Sequence, residues 1–138
     1  MKPVVPACLA TLVGLMLLTG SAECQSPVVA HTEPQSVFMD NCAACHQAGG
    51  VGIPGVFPAL AADAFVRGDP AAVVRVILAG RNGMPSFRND LSDEQIAAVA
   101  SYIRQSFGNG AAAIQPAFVA EIRLRTNNPQ TDNPPISN

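Results

Sequence analysis

The chain has 138 residues, 49 % hydrophobic and 13 % charged, with a net charge of −2. That length sets one domain plus its ends, and the lack of a basic excess argues against nucleic acid as a partner. Six phenylalanines, one tyrosine and no tryptophan make a thin polypeptide core, so a domain this small is expected to need a staple.

Residues 1–22 read as a secretory signal peptide. Lys2 gives a minimal positive start, residues 7–18 an apolar run, and Gly20-Ser21-Ala22 the small residues of a cleavage site. The run is short of the roughly 20 residues a bilayer span needs; an uncleaved anchor is the alternative. A lipoprotein signal ending at Cys24 is disfavoured, because Glu23 stands where a small residue is required. Cleavage implies a periplasmic protein in which seven arginines face ten acids and no lysine remains. It would also leave Cys24 as an odd thiol. Residues 23–32 carry no helical period and are expected to form a flexible leader.

The domain is expected over 33–108 and all-α. Its first helix is predicted from near Glu33 or Pro34 to Cys45, since Pro34 suits a first turn and Val37, Phe38, Asn41, Cys42 and Cys45 follow helical steps down one face. The helix ends in Cys42-Ala43-Ala44-Cys45-His46, the attachment sequence for c-type haem. Two thiols three apart on one helical turn can both reach the vinyl groups along one porphyrin edge. His46 then stands where its imidazole can bind iron from the same side. A thioredoxin-like pair shares Cys-x-x-Cys but expects a βαβ setting, of which there is no sign. A zinc site needs four ligands and would have to bring back Cys24.

Residues 47–60 are expected to be a loop, because Gly49, Gly50, Gly52, Pro54, Gly55 and Pro58 forbid regular structure. Glycines so dense let backbone pass close to a flat ligand. Val51, Ile53, Val56 and Phe57 are expected mostly to line the haem, the alternative being that they surround its exposed edge. A short turn follows over 61–67. The next helix has Asp69 as N-cap, Pro70 at its first position, Gly80 past its end and a stripe of Val73, Val74, Ile77 and Leu78.

Residues 81–90 form a second loop, containing Gly83-Met84-Pro85. Of the side chains able to close the iron's other face, Met39 shares the helix of Cys42, and His31 lies in the leader. Met84, in a loop 38 residues after His46, can pass around the disc; a gap-filling core methionine is the alternative. Arg81 and Arg88 flank this loop as candidates for the haem propionates, or as solvated surface arginines. The last core helix opens on the capping box Ser92-Asp93-Glu94-Gln95, with Leu91 and Ile96 as a hydrophobic staple. Val99, Ile103 and Phe107 continue its apolar face, and Gly108 is expected to end it. Residues 109–125 read as a linker and an extra helix from Pro116, and 126–138 as a disordered tail.

Cys-x-x-Cys-His, then Pro-x-Leu at Pro58-Ala59-Leu60, then Gly-x-Asn-Gly-Met-Pro before the last helix resemble the class I cytochromes c, over essentially the whole of 33–108. The resemblance implies a cytochrome c fold of three core helices around one covalent haem c, with thioethers from Cys42 and Cys45 and axial bonds from His46 and Met84. It also places Pro58 and Leu60 at the cofactor, with the Pro58 carbonyl on the second ring nitrogen of His46. Phe38 and Tyr102 would pack where the first and last helices cross. The stretch from Gly50 to Pro58, with Ser106-Phe107-Gly108-Asn109, is similar to the cytochrome c subunits and domains of bacterial periplasmic or membrane-bound dehydrogenases.

With both axial sites filled, the iron could change charge without binding substrate. The expected protein is therefore a one-electron carrier and not an enzyme. It would take electrons from a dehydrogenase and pass them to a terminal oxidase or another cytochrome. It would meet a membrane only through a partner or an uncleaved signal segment. The alternative is a gas-binding sensor or peroxidase in which Met84 is displaceable, although no histidine follows His46 to serve as its distal acid–base group.

Overall fold

The computed structural model describes residues 32–127. The expected signal peptide, His31, Cys24 and nearly all of the leader and tail lie outside them. Among the described residues there are six helices and no strand: α1 Pro34–Asn41, α2 Ala43–His46, α3 Ala64–Arg67, α4 Pro70–Ala79, α5 Asp93–Gln105 and α6 Pro116–Asn127. The expected all-α class is what the chain adopts. None of these helices is long and apolar enough to cross a membrane.

α1 crosses α5, and α6 packs on α5 and α4. At the first crossing Phe38 is fully buried. Its ring lies 5.4 Å from that of Tyr102 and 5.3 Å from that of Phe107, and Tyr102 meets Phe107 edge-on at 5.5 Å. Such tilted aromatic contacts pair ring edges with ring faces and add to the area they bury. Val74 and Leu78 on α4, Ile96, Val99 and Ala100 on α5, and Val119 and Ile122 on α6 complete the core.

Three helices differ from their expected extents, the last of them α6, which runs on through Thr126 and Asn127, where the disordered tail is expected to begin. The first breaks at Cys42, whose dihedrals of −120° and −34° leave the helical region, so that α1 stops at Asn41 and the haem motif forms a turn of its own. No glycine or proline marks this break. Cys42 N–H still bonds the Phe38 carbonyl at 2.8 Å, and its own carbonyl accepts from Cys45 and His46 at 3.2 and 2.9 Å. Hydrogen bonding therefore continues through the break while the direction changes.

α5 ends at Gln105 and not at Gly108, and Phe107 does not extend its face. Phe107 adopts a φ of +55°, which swings its ring back onto Phe38. The stop is enforced by buried Asn109, whose amide donates to the free carbonyl of Ile103 at 2.9 Å and to Leu60 O at 2.8 Å. Its oxygen accepts from Asp63 N–H at 3.0 Å. One side chain thus caps a last-turn carbonyl and fastens the segment after Pro58 to α5.

Candidate functional site

The helices and both loops enclose a cavity of about 360 Å³. Cys42, Cys45, His46, Pro58, Leu60 and Met84 all line it, so the structure brings these six candidate residues to one place. Phe57, Phe65, Val66, Ile77 and Ile103 contribute to an otherwise largely apolar wall.

His46 is buried, 8 % exposed, and its Nδ1 lies 2.9 Å from the carbonyl oxygen of Pro58. A carbonyl only accepts, so Nδ1 carries the proton and Nε2 of the neutral ring is left with a free lone pair. Pro58 reaches this position because of Gly52. A Cβ there would lie 2.5 Å from Phe57 O and 2.7 Å from Pro58 O, and the residue has a φ of +65°. Gly52 N–H also donates to the His46 carbonyl at 2.9 Å. Gly52 therefore serves a close approach within the protein, whereas a Cβ at Gly49 or Gly55 would meet nothing within 4 Å. Gly50, like Gly52, is closely approached, by the Phe107 ring, and neither Gly49, Gly50, Gly52 nor Gly55 lines the cavity. That corrects the expectation of a glycine wall against a flat ligand.

The apolar residues of this loop divide. Val56 and Phe57 line the cavity. Val51 and Ile53 do not, and they stand exposed at 62 % and 37 %. Val51 instead borders a shallow groove of about 410 Å³ that shares Val56, Phe57, Pro58 and Ala59 with the cavity wall. The expectation of lining thus holds for two of the four, and the others fit the edge alternative.

Met84 sits at the end of a two-residue hairpin. Arg81 and Met84 exchange backbone hydrogen bonds of 3.2 and 2.9 Å, and Asn82 and Gly83 between them have φ of +48° and +89°. Positive φ at both central positions is what a type I′ turn demands and what Asn-Gly supplies. The hairpin lies flat on the end of α4, because a Cβ at Gly80 would penetrate the Met84 carbonyl oxygen. Ser86 Oγ donates to Leu78 O at 2.6 Å, and Phe87 N–H to Ile77 O at 3.1 Å. The loop thereby satisfies carbonyls of the last turn of α4 while presenting Met84 to the cavity. Met39 is 45 % exposed and outside the cavity lining.

The two flanking arginines part company. Arg81 lines the cavity, and its guanidinium lies 5.0 Å from the centroid of the Phe65 ring. Arg88 does not line it. Its guanidinium donates to Asn127 Oδ1 at 2.7 Å and Thr126 Oγ1 at 2.6 Å. Arg88 is thereby committed to α6, which overturns its candidacy as a propionate partner. Burial, and secondarily the neighbouring Cys45, pushes the Cys42 thiol up to about 11. Among the described residues no group of three or more His, Cys, Asp or Glu side chains is placed to hold a metal ion.

Sequence reasoning missed Asp63 and Phe65 as wall residues. Asp63 caps α3, accepting from Val66 N–H at 2.9 Å, where the sequence predicts only a short turn. Nothing in spacing alone ties it to a site far along the chain.

Residues 29–103 match the family described as cytochrome C oxidase, cbb3-type, subunit III. The chain belongs to this cytochrome c family. It is 34 % identical over 102 residues to the cytochrome c subunit of the alcohol dehydrogenase (quinone) of Gluconobacter oxydans, a match covering 65 % of the chain and 21 % of that subunit. It is equally 34 % identical over 102 residues to the gluconate 2-dehydrogenase cytochrome c subunit of Pantoea cypripedii, covering 64 % and 23 %. Cytochrome c6 of Diacronema lutheri is 36 % identical over 77 residues, covering 54 % of the chain and 93 % of that protein. The chain therefore spans under a quarter of the dehydrogenase subunits it matches and nearly the whole of a cytochrome c6.

The cofactor of this cytochrome is covalently bound haem c. The donor set fits it: two thiols, an imidazole with one uncommitted nitrogen and a thioether converge on a single apolar cavity.

Proposed function

We propose that this cytochrome is a periplasmic one-electron carrier. In this reading Cys42 and Cys45 would hold the haem by thioethers, and His46 Nε2 and Met84 Sδ would bind its iron. The observation that carries it is the convergence of all four side chains on one cavity, with His46 Nδ1 already engaged by Pro58.

Haem c supplies a one-electron ferric/ferrous couple when bound. The rest is the work of the chain. Pro58 holds the imidazole in one tautomer and raises its basicity. The thioether of Met84, a weak donor to ferric iron, favours the ferrous state, and the apolar wall disfavours extra positive charge. With His46 and Met84 both holding the iron, no position there would be left for a substrate.

Electrons would come from a dehydrogenase and leave to a terminal oxidase or another cytochrome, in keeping with the dehydrogenase subunits among its relatives. The transfer edge would lie beside exposed Val51, Ile53 and Val56, where the shallow groove adjoins the cavity. Export by residues 1–22 would place the protein in the periplasm.

The test is the exported, matured protein and its Met84→Ala variant. The ferric protein is expected to show a sulfur-to-iron charge-transfer band that the variant lacks, and the ferrous protein to resist carbon monoxide at neutral pH until Met84 is removed. An unchanged band in the variant would remove Met84 as a ligand. Fast, complete carbon monoxide binding to the unmodified protein would favour a sensor or peroxidase.

A further inference from the structure

α6 lies beyond the matched span of 29–103, and none of its residues lines the haem cavity. Its buried side chains, Val119 and Ile122, account for a simple cover over α4 and α5. They do not account for Arg123. That guanidinium pairs with Asp93 at 2.7 Å and donates to the backbone carbonyls of Arg88 and, at 3.1 Å, Leu91. Arg88 is gripped a second time, since its own guanidinium donates to Thr126 and Asn127 in the last turn of α6.

Arg88 is four residues past Met84. Between them, Ser86 Oγ and Phe87 N–H are bonded to the carbonyls of Leu78 and Ile77 on α4. The methionine loop is thus pinned to α4 along its length and to α6 at its exit. Swinging Met84 away from the cavity requires the loop to lift, which strains the bonds at Arg88.

We propose that α6 braces the methionine loop, with Arg123 as the positioning residue that keeps Met84 on the iron. This rests on the reading of Met84 as axial ligand. Hydrogen bonds from a charged donor to part-buried carbonyls are among the stronger ones in proteins. Their loss is therefore expected to raise the rate of loop opening roughly tenfold to a hundredfold.

The test uses the ferric holoprotein and imidazole, which takes the place of the methionine only after the loop opens. At saturating imidazole the binding rate reports opening. Arg123→Ala is expected to bind roughly ten- to a hundredfold faster than the unmodified protein. Arg123→Lys should stay close to Arg123→Ala, because an ammonium cannot reproduce the planar fork across two carbonyls and a carboxylate. Glu121→Ala breaks only the exposed pair with Arg125 on α6 and is expected to leave the rate unchanged. In a Met84→Ala background, Arg123→Ala should add nothing. If Arg123→Ala lowers the melting temperature yet binds imidazole at the unmodified rate, α6 is a cover and the proposal is wrong. If Met84→Ala binds no faster than the unmodified protein, the fault lies with Met84 as ligand. Should Arg123→Ala fail to accumulate, Arg88→Met removes the side-chain grip on α6 alone and is expected to accelerate binding as well; an unaltered rate there overturns the brace.

Discussion

His46 and Pro58 are joined by one bond of 2.9 Å, and Gly52 permits it by leaving room for the Pro58 carbonyl. Replacing Gly52 by Ala is expected to act twice. A φ of +65° is unfavourable for an L residue by about 1–2 kcal/mol, and the methyl group must also displace the Phe57–Pro58 backbone. Unfolding in denaturant should show a loss of about 2 kcal/mol or more. The displaced carbonyl leaves the imidazole less basic and a poorer donor to ferric iron, so the reduction potential should rise. Gly55→Ala is the matching control, because its φ is +76° but nothing lies within 4 Å of its Cβ. It should lose some stability and keep its potential. Equal potentials in all three proteins would show that Pro58 does not tune His46.

Local chemistry decides some elements and distant contacts decide others. The start and end of α4 are legible in Asp69-Pro70 and Gly80, because a cap, a fixed φ and a left-handed residue act within one turn. The capping box of α5 is equally local, with Ser92 and Gln95 exchanging bonds of 3.0 and 3.2 Å. The early stop of α5 is not legible, since Asn109 and Phe107 act through Leu60, Asp63 and Phe38, far away in the chain, and no residue type marks the break at Cys42. The four candidate ligand side chains could be named from the Cys-x-x-Cys-His motif and the Gly-Met-Pro loop, whereas the second grip on Arg88 depends on where α6 lands. Two substitutions separate the local from the functional. Ser92→Ala is expected to cost about 1 kcal/mol and leave the haem spectrum unchanged. Gly80→Ala pushes the Met84 carbonyl off α4 and is expected to weaken or abolish the sulfur-to-iron band. A melting curve and an absorption spectrum of each variant check the pair.

At the scale of the molecule, charge and core point to separate tests. Each of the seven arginines has a partner within the chain: Arg67 on Ala62 and Asp63, Arg75 on Asp69, Arg81 on Phe65, Arg88 on α6, Arg104 on three carbonyls, Arg123 on Asp93 and Arg125 on Glu121. Only Arg75, Arg123 and Arg125 meet carboxylates, but acids outnumber basic residues ten to eight and Lys2 is the one lysine. No large basic excess therefore steers an acidic partner, and electron transfer with its donor should change by less than about threefold between low and physiological ionic strength; a steep fall with salt would point to charged docking. The core itself is hollow around the cofactor. Val66, Val73, Ile77, Leu91, Val99 and Ile103 are core residues that also face the cavity. Left unfilled, a cavity of about 360 Å³ leaves these side chains against water or without neighbours, a cost of several kcal/mol. That is a large share of the about 5–15 kcal/mol that an ordinary domain has in total. The haem-free Cys42→Ser/Cys45→Ser chain is therefore expected to lose its near-ultraviolet circular dichroism and its cooperative thermal transition. A sharp transition in that chain would mean that the polypeptide closes the cavity by itself, and that haem is held by a fold it does not create.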